Sequence, residues 1–205
     1  MKFRPRDRGI SRRSWLLAGL TAPLFTARAA DSLNVRYDGD TIRVAPSNVH
    51  FLAGKPLERL KDGSSVAYVA TLDLLNESRI SMVPQQRSRF VVSYALWEEK
   101  FSVTQLGRTS RTVEGLSALA TENWCFDSMS LSTLGIPTDR YFWLRFDLRT
   151  GGPADLEEDG LPGISISTLI GLLGRKKMDQ IHWGPLEVRV RLADLPRIAG
   201  RGTRG

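Results

Sequence analysis

Apolar side chains recur at every second position along much of this chain, in runs separated by Gly, Asp, Pro and Ser. That period marks strands with one buried and one wet face. Residues 33–37 and 41–45 flank Asp38-Gly39-Asp40 and predict a hairpin, with Val35 and Tyr37 alternating on one arm and Ile42 and Val44 on the other. The run 65–75 places Val66, Tyr68, Ala70, Leu72 and Leu74 on one face, with Thr71 and Asp73 opposite. Residues 88–97 point Phe90, Val92, Tyr94 and Leu96 inward and Arg89, Ser93 and Ala95 outward; after a turn at Glu98-Glu99-Lys100 the chain returns over 101–106. The clearest strand is 140–149: Phe142, Leu144, Phe146 and Leu148 make one face, and Tyr141, Trp143, Arg145, Asp147 and Arg149 the other. In a last strand Leu186, Val188, Val190 and Leu192 alternate with Glu187, Arg189 and Arg191.

Helical spacing is rarer. Residues 55–61 predict a short helix with Pro56 in its first turn and Asp62-Gly63 as its stop. In 112–121 (TVEGLSALAT) the apolar residues Val113, Leu116, Leu119 and Ala120 fall at helical spacing, with Glu114 near the positive end. A third helix is expected over 165–173, after a Gly-, Pro- and acid-rich loop at 150–163 and before Arg175-Lys176-Lys177. About six strands joined largely by hairpins predict a mostly-β fold: an antiparallel β-sandwich, or a partly closed barrel, with two or three short helices at connections.

The first thirty residues follow a different pattern. Residues 1–13 carry six cationic side chains against Asp7, an apolar run of eleven residues follows from Trp15 to Phe25, and Ala27-Arg28-Ala29-Ala30 closes the segment. A basic start, a short apolar stretch and small residues at a cleavage point are the parts of an export signal, and eleven residues fall short of the ~20 that span a bilayer as a helix. Arg12 and Arg13, followed by Ser14, Trp15 and two leucines, resemble the twin-arginine export signal, with Trp15 where phenylalanine is usual; the general export route is the alternative. Cleavage is expected after Ala29 or Ala30. The expected organisation is a cleaved signal over 1–30, one β-rich domain over 31–195 and a disordered basic tail over 196–205, in a periplasmic or extracellular protein.

Removing the leader changes the charge. The formal +7 falls to +1 once its seven cations and one acid are set aside, and the tail holds three further arginines. A nucleic-acid binder keeps its basic surface in the folded domain, so that class is set aside. The single cysteine, Cys125, sits between Trp124 and Phe126 and excludes an intramolecular disulfide, so the domain relies on its core.

Candidate chemistry is sparse. His50 and His182 are the only histidines and stand in no metal-ligand spacing, there is no Gly-x-Ser-x-Gly elbow, and the acidic run from Asp155 to Gly160 lacks the alternating carboxylates of a calcium loop. No catalytic residue, metal ligand or cofactor is assigned. Tyr141 and Trp143, interleaved with Arg145 and Arg149 on the polar face of the strongest strand, are the best candidates for a protein-binding surface, although a second sheet or a loop over them is the competing reading. Residues 164–177, apolar and ending in three cations, are a weaker candidate for contact with an anionic membrane surface.

The order of these elements resembles an uncharacterised exported bacterial family, domain of unknown function 4390. The residues that carry the resemblance are the short helix around 57–61 ending at Gly63, the strand pair SRFVVSYALWEEKFSVTQLG, the segment GLSALAT, the strand YFWLRFDLR, and His182-Trp183 followed by GPLEVRVRL. It covers about residues 33–195, with 150–163 as an insertion. The resemblance implies an exported β domain and brings no activity. The expected function is a non-catalytic protein-binding or accessory component of the cell envelope. The alternative is a carrier of an apolar small molecule or lipid in a barrel-like cavity.

Overall fold

The computed structural model describes residues 33–152, 155 and 180–197. The chain enters through a hairpin of β1 (Leu33–Tyr37) and β2 (Thr41–Pro46), paired from Leu33↔Pro46 to Tyr37↔Ile42. Its turn is closed by Asp38, whose Oδ1 accepts from the Thr41 amide at 2.9 Å and the Thr41 hydroxyl at 2.7 Å. A loop and helix α1 (Gly54–Lys61) follow, with Pro56 in the first turn, as the sequence predicts. The helix ends where Gly63, at φ +76, takes a left-handed conformation that a Cβ disfavours.

The long strands β3 (Val66–Leu75), β4 (Gln86–Ala95), β5 (Lys100–Leu106) and β6 (Arg111–Leu116) run as a meander. Helix α2 (Ala118–Asp127) and a two-residue strand β7 (Leu131–Ser132) lead to β8 (Tyr141–Thr150), and β9 (His182–Arg191) closes the set. Two antiparallel sheets result, β1-β2-β7 and β6-β5-β4-β3-β8-β9. The larger sheet ends at β6 on one side and β9 on the other, so it is open: the fold is the sandwich and not the barrel. One contiguous core joins the sheets. It takes Ile42 and Val44 from the smaller sheet, Leu60 from α1, Phe126 from α2, and Tyr68, Phe90, Leu144 and Phe146 from the larger sheet. Within it Phe51 packs against Tyr68 with ring centres 4.6 Å apart and planes tilted by 59°, and meets Phe126 edge-on at 5.8 Å.

Four expectations change. Residues 112–121 are not one helix. The open edge of β5 takes residues 111–116 as a strand, pairing Val103↔Val113 and Thr104↔Thr112, and the helix begins only after Ser117. Gly115 at φ +74 allows the register shift between Phe101 and Val103, and the Ser117 hydroxyl caps α2 through the Ala120 amide at 3.3 Å. Strand β4 stops at Ala95, because Ala95↔Lys100 is the last pair before the turn; Leu96, expected inward, is 54 % exposed and Trp97 is fully exposed. The outer face is not uniformly wet, since Ala67, Val69, Arg89 and Val91 are buried. The last strand starts at His182, four positions before Leu186, and Trp183 packs against Phe51 and Tyr68.

At the C-terminal end the Tyr37 amide donates to the Pro196 carbonyl at 3.1 Å and Arg197 bridges to Tyr37, so the domain's pairing continues past residue 195. The expected signal with Arg12, Arg13, Trp15, Ala27 and Ala29, most of the 150–163 loop, the expected helix over 165–173 and tail residues 198–205 lie outside the described residues.

Candidate interaction surface

The pleat of β8 sends Phe142, Leu144, Phe146 and Leu148 into the core and Tyr141, Trp143, Arg145 and Arg149 to the outer face, as the alternation predicts. Pairing with β9 sets Tyr141 beside Arg191, Trp143 beside Arg189 and Arg145 beside Glu187. Tyr141 and Arg149 stand about 27 Å apart along an extended strand. The four residues therefore belong to two clusters.

The first cluster is organised by the loop between β3 and β4. Asn76 folds this loop on itself: its carbonyl accepts from the Arg79 amide at 2.9 Å and its side-chain oxygen from the Ile80 amide at 2.9 Å. Arg79, at φ +63, then reaches over β8. Its guanidinium carbon lies 3.9 Å from the centre of the Trp143 ring, and Arg79 also donates to Glu187. Arg145 donates to the other oxygen of Glu187 at 2.7 Å. Hydrogen bonds from Arg79 and then Arg145 hold the Glu187 carboxyl below the usual carboxylate range. Arg189 pairs with Glu77 at 2.7 Å and lies 4.4 Å from the Tyr141 ring centre. Arg191 lies 5.5 Å from that centre and donates both of its bonds to Asp194 at 2.7 Å. The arginine and aromatic face is thus laced by the chain's own acids, and a loop does cover Trp143. Exposure persists at its rim: Tyr141 at 44 %, Met82 at 40 % and Ile80 at 63 %. Met82 and Tyr141 line a surface groove of about 500 Å³ between Asn76–Ser78, Met82, Pro137 and Arg140–Phe142.

The second cluster lies at the other end of β8. Arg149 donates two bonds to Asp155, one of them at 2.8 Å, and the Gly152 amide donates to the same carboxylate at 2.9 Å. The Arg149 hydrogen bonds are the largest cause of lowering the Asp155 carboxyl to about 2.

A third group was not legible in the sequence. Glu122 on α2 is buried, accepts from the Leu52 amide at 2.8 Å and meets His50 Nδ1 at 3.0 Å. Thr121, Glu122, Cys125 and Phe126 share the buried side of α2, a helical spacing visible only once the helix is placed after Ser117. Burial, followed by the nearby Glu122 charge, pushes the Cys125 thiol far above its ordinary value, so this thiol is not poised as a nucleophile. An imidazole held at Nδ1 by a carboxylate keeps Nε2 for a proton or a ligand. Among the described residues no three His, Cys, Asp or Glu side chains converge on a metal-sized site. His182 stands apart from this group, its Nδ1 4.0 Å from Asp147.

No protein-family model, no curated protein and no solved structure matches the chain.

Proposed function

We propose that this chain is an exported, non-catalytic β domain that binds another protein as an accessory component of the cell envelope, through the rim of the groove beside Tyr141. The observation that carries the reading is the exposure of Met82 and Tyr141 on that groove, with exposed Ile80 two residues from Met82, next to a face whose arginines are held by internal ion pairs. Exposed apolar and aromatic side chains grouped together, with Arg nearby, are what protein interfaces use for their anchors. Because Glu187, Glu77 and Asp194 already satisfy the neighbouring guanidiniums, the partner contributes an apolar or aromatic side chain that enters the groove, and not a compensating acid. The basic, apolar and small-residue order of 1–30 supports export.

A groove of about 500 Å³ is also large enough for a small apolar ligand, which keeps the carrier reading as the alternative. Native mass spectrometry of the protein purified gently from its own host's envelope separates the two. A bound chain that is lost on Tyr141→Ala or Met82→Asp supports the protein-binding reading. A constant excess of a few hundred daltons supports the carrier. The mass of residues 30–205 or 31–205 with nothing bound, in both wild type and variants, counts against both.

A further inference from the structure

The domain carries an exposed aromatic knob as well as a groove. β4 stops at Ala95 and β5 starts at Lys100, so residues 96–99 turn the chain at the tip of a hairpin. All four are exposed, with Glu99 held at φ +53. Leu96 is 54 % exposed and Trp97 fully so. Trp is the side chain that most often anchors a protein contact, and here it is left wholly in water beside a leucine. Two acids follow it, Glu98 and Glu99, and neither has an ion pair among the described residues.

The groove is the matching hollow. Met82, Pro137, Tyr141 and Phe142 give it apolar walls, and its volume of about 500 Å³ takes an indole ring. Exposed Arg140 lines it as well. Arg79, Arg145, Arg189 and Arg191 are held by the chain's own acids, whereas Arg140 has no ion pair among the described residues. Knob and hollow cannot meet within one chain. The groove lies on the loop that joins β3 to β4 and on the start of β8, and the tip lies at the far end of β4. The extended length of β4, about 30 Å, separates them.

We propose that the hairpin tip at Leu96 and Trp97 enters the groove beside Tyr141 of a second copy of this chain, with Glu98 and Glu99 set against Arg140 at its rim. The inference rests on the protein-binding reading of the groove and names the partner. The anchor is aromatic, in keeping with the internal pairing of the neighbouring arginines; the acids stay outside the groove and answer Arg140 alone. Knob and hollow are different surfaces at opposite ends of the sheet, so the contact is head-to-tail. Each copy keeps a free tip at one end and a free groove at the other, and copies add in a row, or in a ring where the rotation closes. One Trp and its neighbours bury less than a standard interface, so the association is weak, with a dissociation constant on the order of 0.1 mM. Micromolar protein is then monomeric, with the Trp97 indole open to solvent. The paired acids also disfavour the other use of an exposed Leu-Trp tip, insertion into an anionic bilayer surface.

Sedimentation velocity on protein purified from its host's envelope, from about 5 µM to about 500 µM, is the test. Wild type is expected to shift from monomer to dimer and longer species over that range. Trp97→Ser and Tyr141→Ala are each expected to weaken association about tenfold or more. Glu98→Lys with Glu99→Lys is expected to weaken it about threefold, and Arg140→Glu added to that pair to restore it. An equimolar mixture of Trp97→Ser chains and Tyr141→Ala chains is expected to form a dimer and nothing longer, since one intact groove is left for one intact tip. Should Tyr141→Ala lose its fold by circular dichroism, Met82→Asp takes its place. A wild type that stays monomeric across the range overturns the proposal and leaves the groove to a different protein, which native mass spectrometry detects. Association weakened by Tyr141→Ala and not by Trp97→Ser overturns it while keeping the groove as the binding site. Association weakened by Trp97→Ser and not by the groove variants overturns it too, since the tip then docks elsewhere. A blue shift of emission on phosphatidylglycerol vesicles that is lost in Trp97→Ser, with the protein monomeric, assigns the tip to a membrane and likewise overturns it.

Discussion

Glu122 and His50 are joined across the domain, carboxylate oxygen to Nδ1 at 3.0 Å, while the second oxygen of Glu122 takes the Leu52 amide at 2.8 Å. One buried acid thus ties the loop before α1 to α2. Its amide bond is the more important half, since His50 is 64 % exposed at its side chain and Glu122 only 4 %. Glu122→Ala leaves the Leu52 donor unsatisfied and is expected to cost about 1–3 kcal/mol. Glu122→Gln keeps an acceptor and costs less. His50→Ala, at a solvated position, costs about 1 kcal/mol or under. Urea unfolding of the three variants checks the order.

Asp155 carries a pH dependence of definite sign. Its carboxyl falls from an ordinary 3.8 to about 2 in the folded protein, chiefly through the Arg149 hydrogen bonds. A depressed acid stabilises the fold above its unfolded value and loses that contribution as pH falls through the folded one. The melting temperature of Asp155→Asn is therefore expected to lie below that of wild type at pH 5 and above, and the gap to shrink between pH 4 and pH 2. A gap that stays constant over that window would assign the Arg149–Asp155 pair no net role.

Gly115 and Ser117 mark the switch from strand to helix. Gly115 at φ +74 is a backbone state that a Cβ penalises, so Gly115→Ala is expected to destabilise by about 1–2 kcal/mol. Ser117→Ala removes the cap on the Ala120 amide and is expected to cost about 0.5–2 kcal/mol. Thermal unfolding measures both. Wild-type stability in both variants would mean the junction tolerates other geometries.

Trp97 contributes no buried surface to the domain. It is fully exposed at the tip of the β4–β5 hairpin, so Trp97→Ser is expected to change stability by no more than about 0.5 kcal/mol. Its indole should be readily quenched by acrylamide, unlike that of Trp183, which packs on Phe51 and Tyr68. Comparing quenching of wild type and Trp97→Ser isolates this one emitter, and a large loss of stability would show that the tip packs against the domain.

The candidate surface was half legible. Alternation along β8 put Tyr141, Trp143, Arg145 and Arg149 on one face, which the structure bears out. Alternation carries no information on what crosses that face. Arg79 over Trp143 and Glu77 on Arg189 come from a loop with no period, folded by Asn76. Glu122 was hidden for a related reason: its helix was expected over 112–121, six residues too early, so its buried side was never aligned.

Local and periodic features were readable in the sequence: the Asp38-Gly39-Asp40 hairpin, the stop of α1 at Gly63, the inward sets of β3 and β8, and the mostly-β antiparallel class, with the choice of sandwich over barrel left to the open edges of the larger sheet. Each follows from steric preference or from a two-residue period that one segment expresses alone. The tertiary structure decided what depends on a partner. Residues 111–116 have helical spacing, yet they satisfy the free edge of β5, and unpaired strand amides outweigh a weak helical preference. Leu96 has a buried residue's chemistry, yet the Ala95↔Lys100 pair turns the chain before it. Ala67, Val69 and Val91 occupy a nominally wet face, yet they are buried, because a face is wet or dry according to what lies across it.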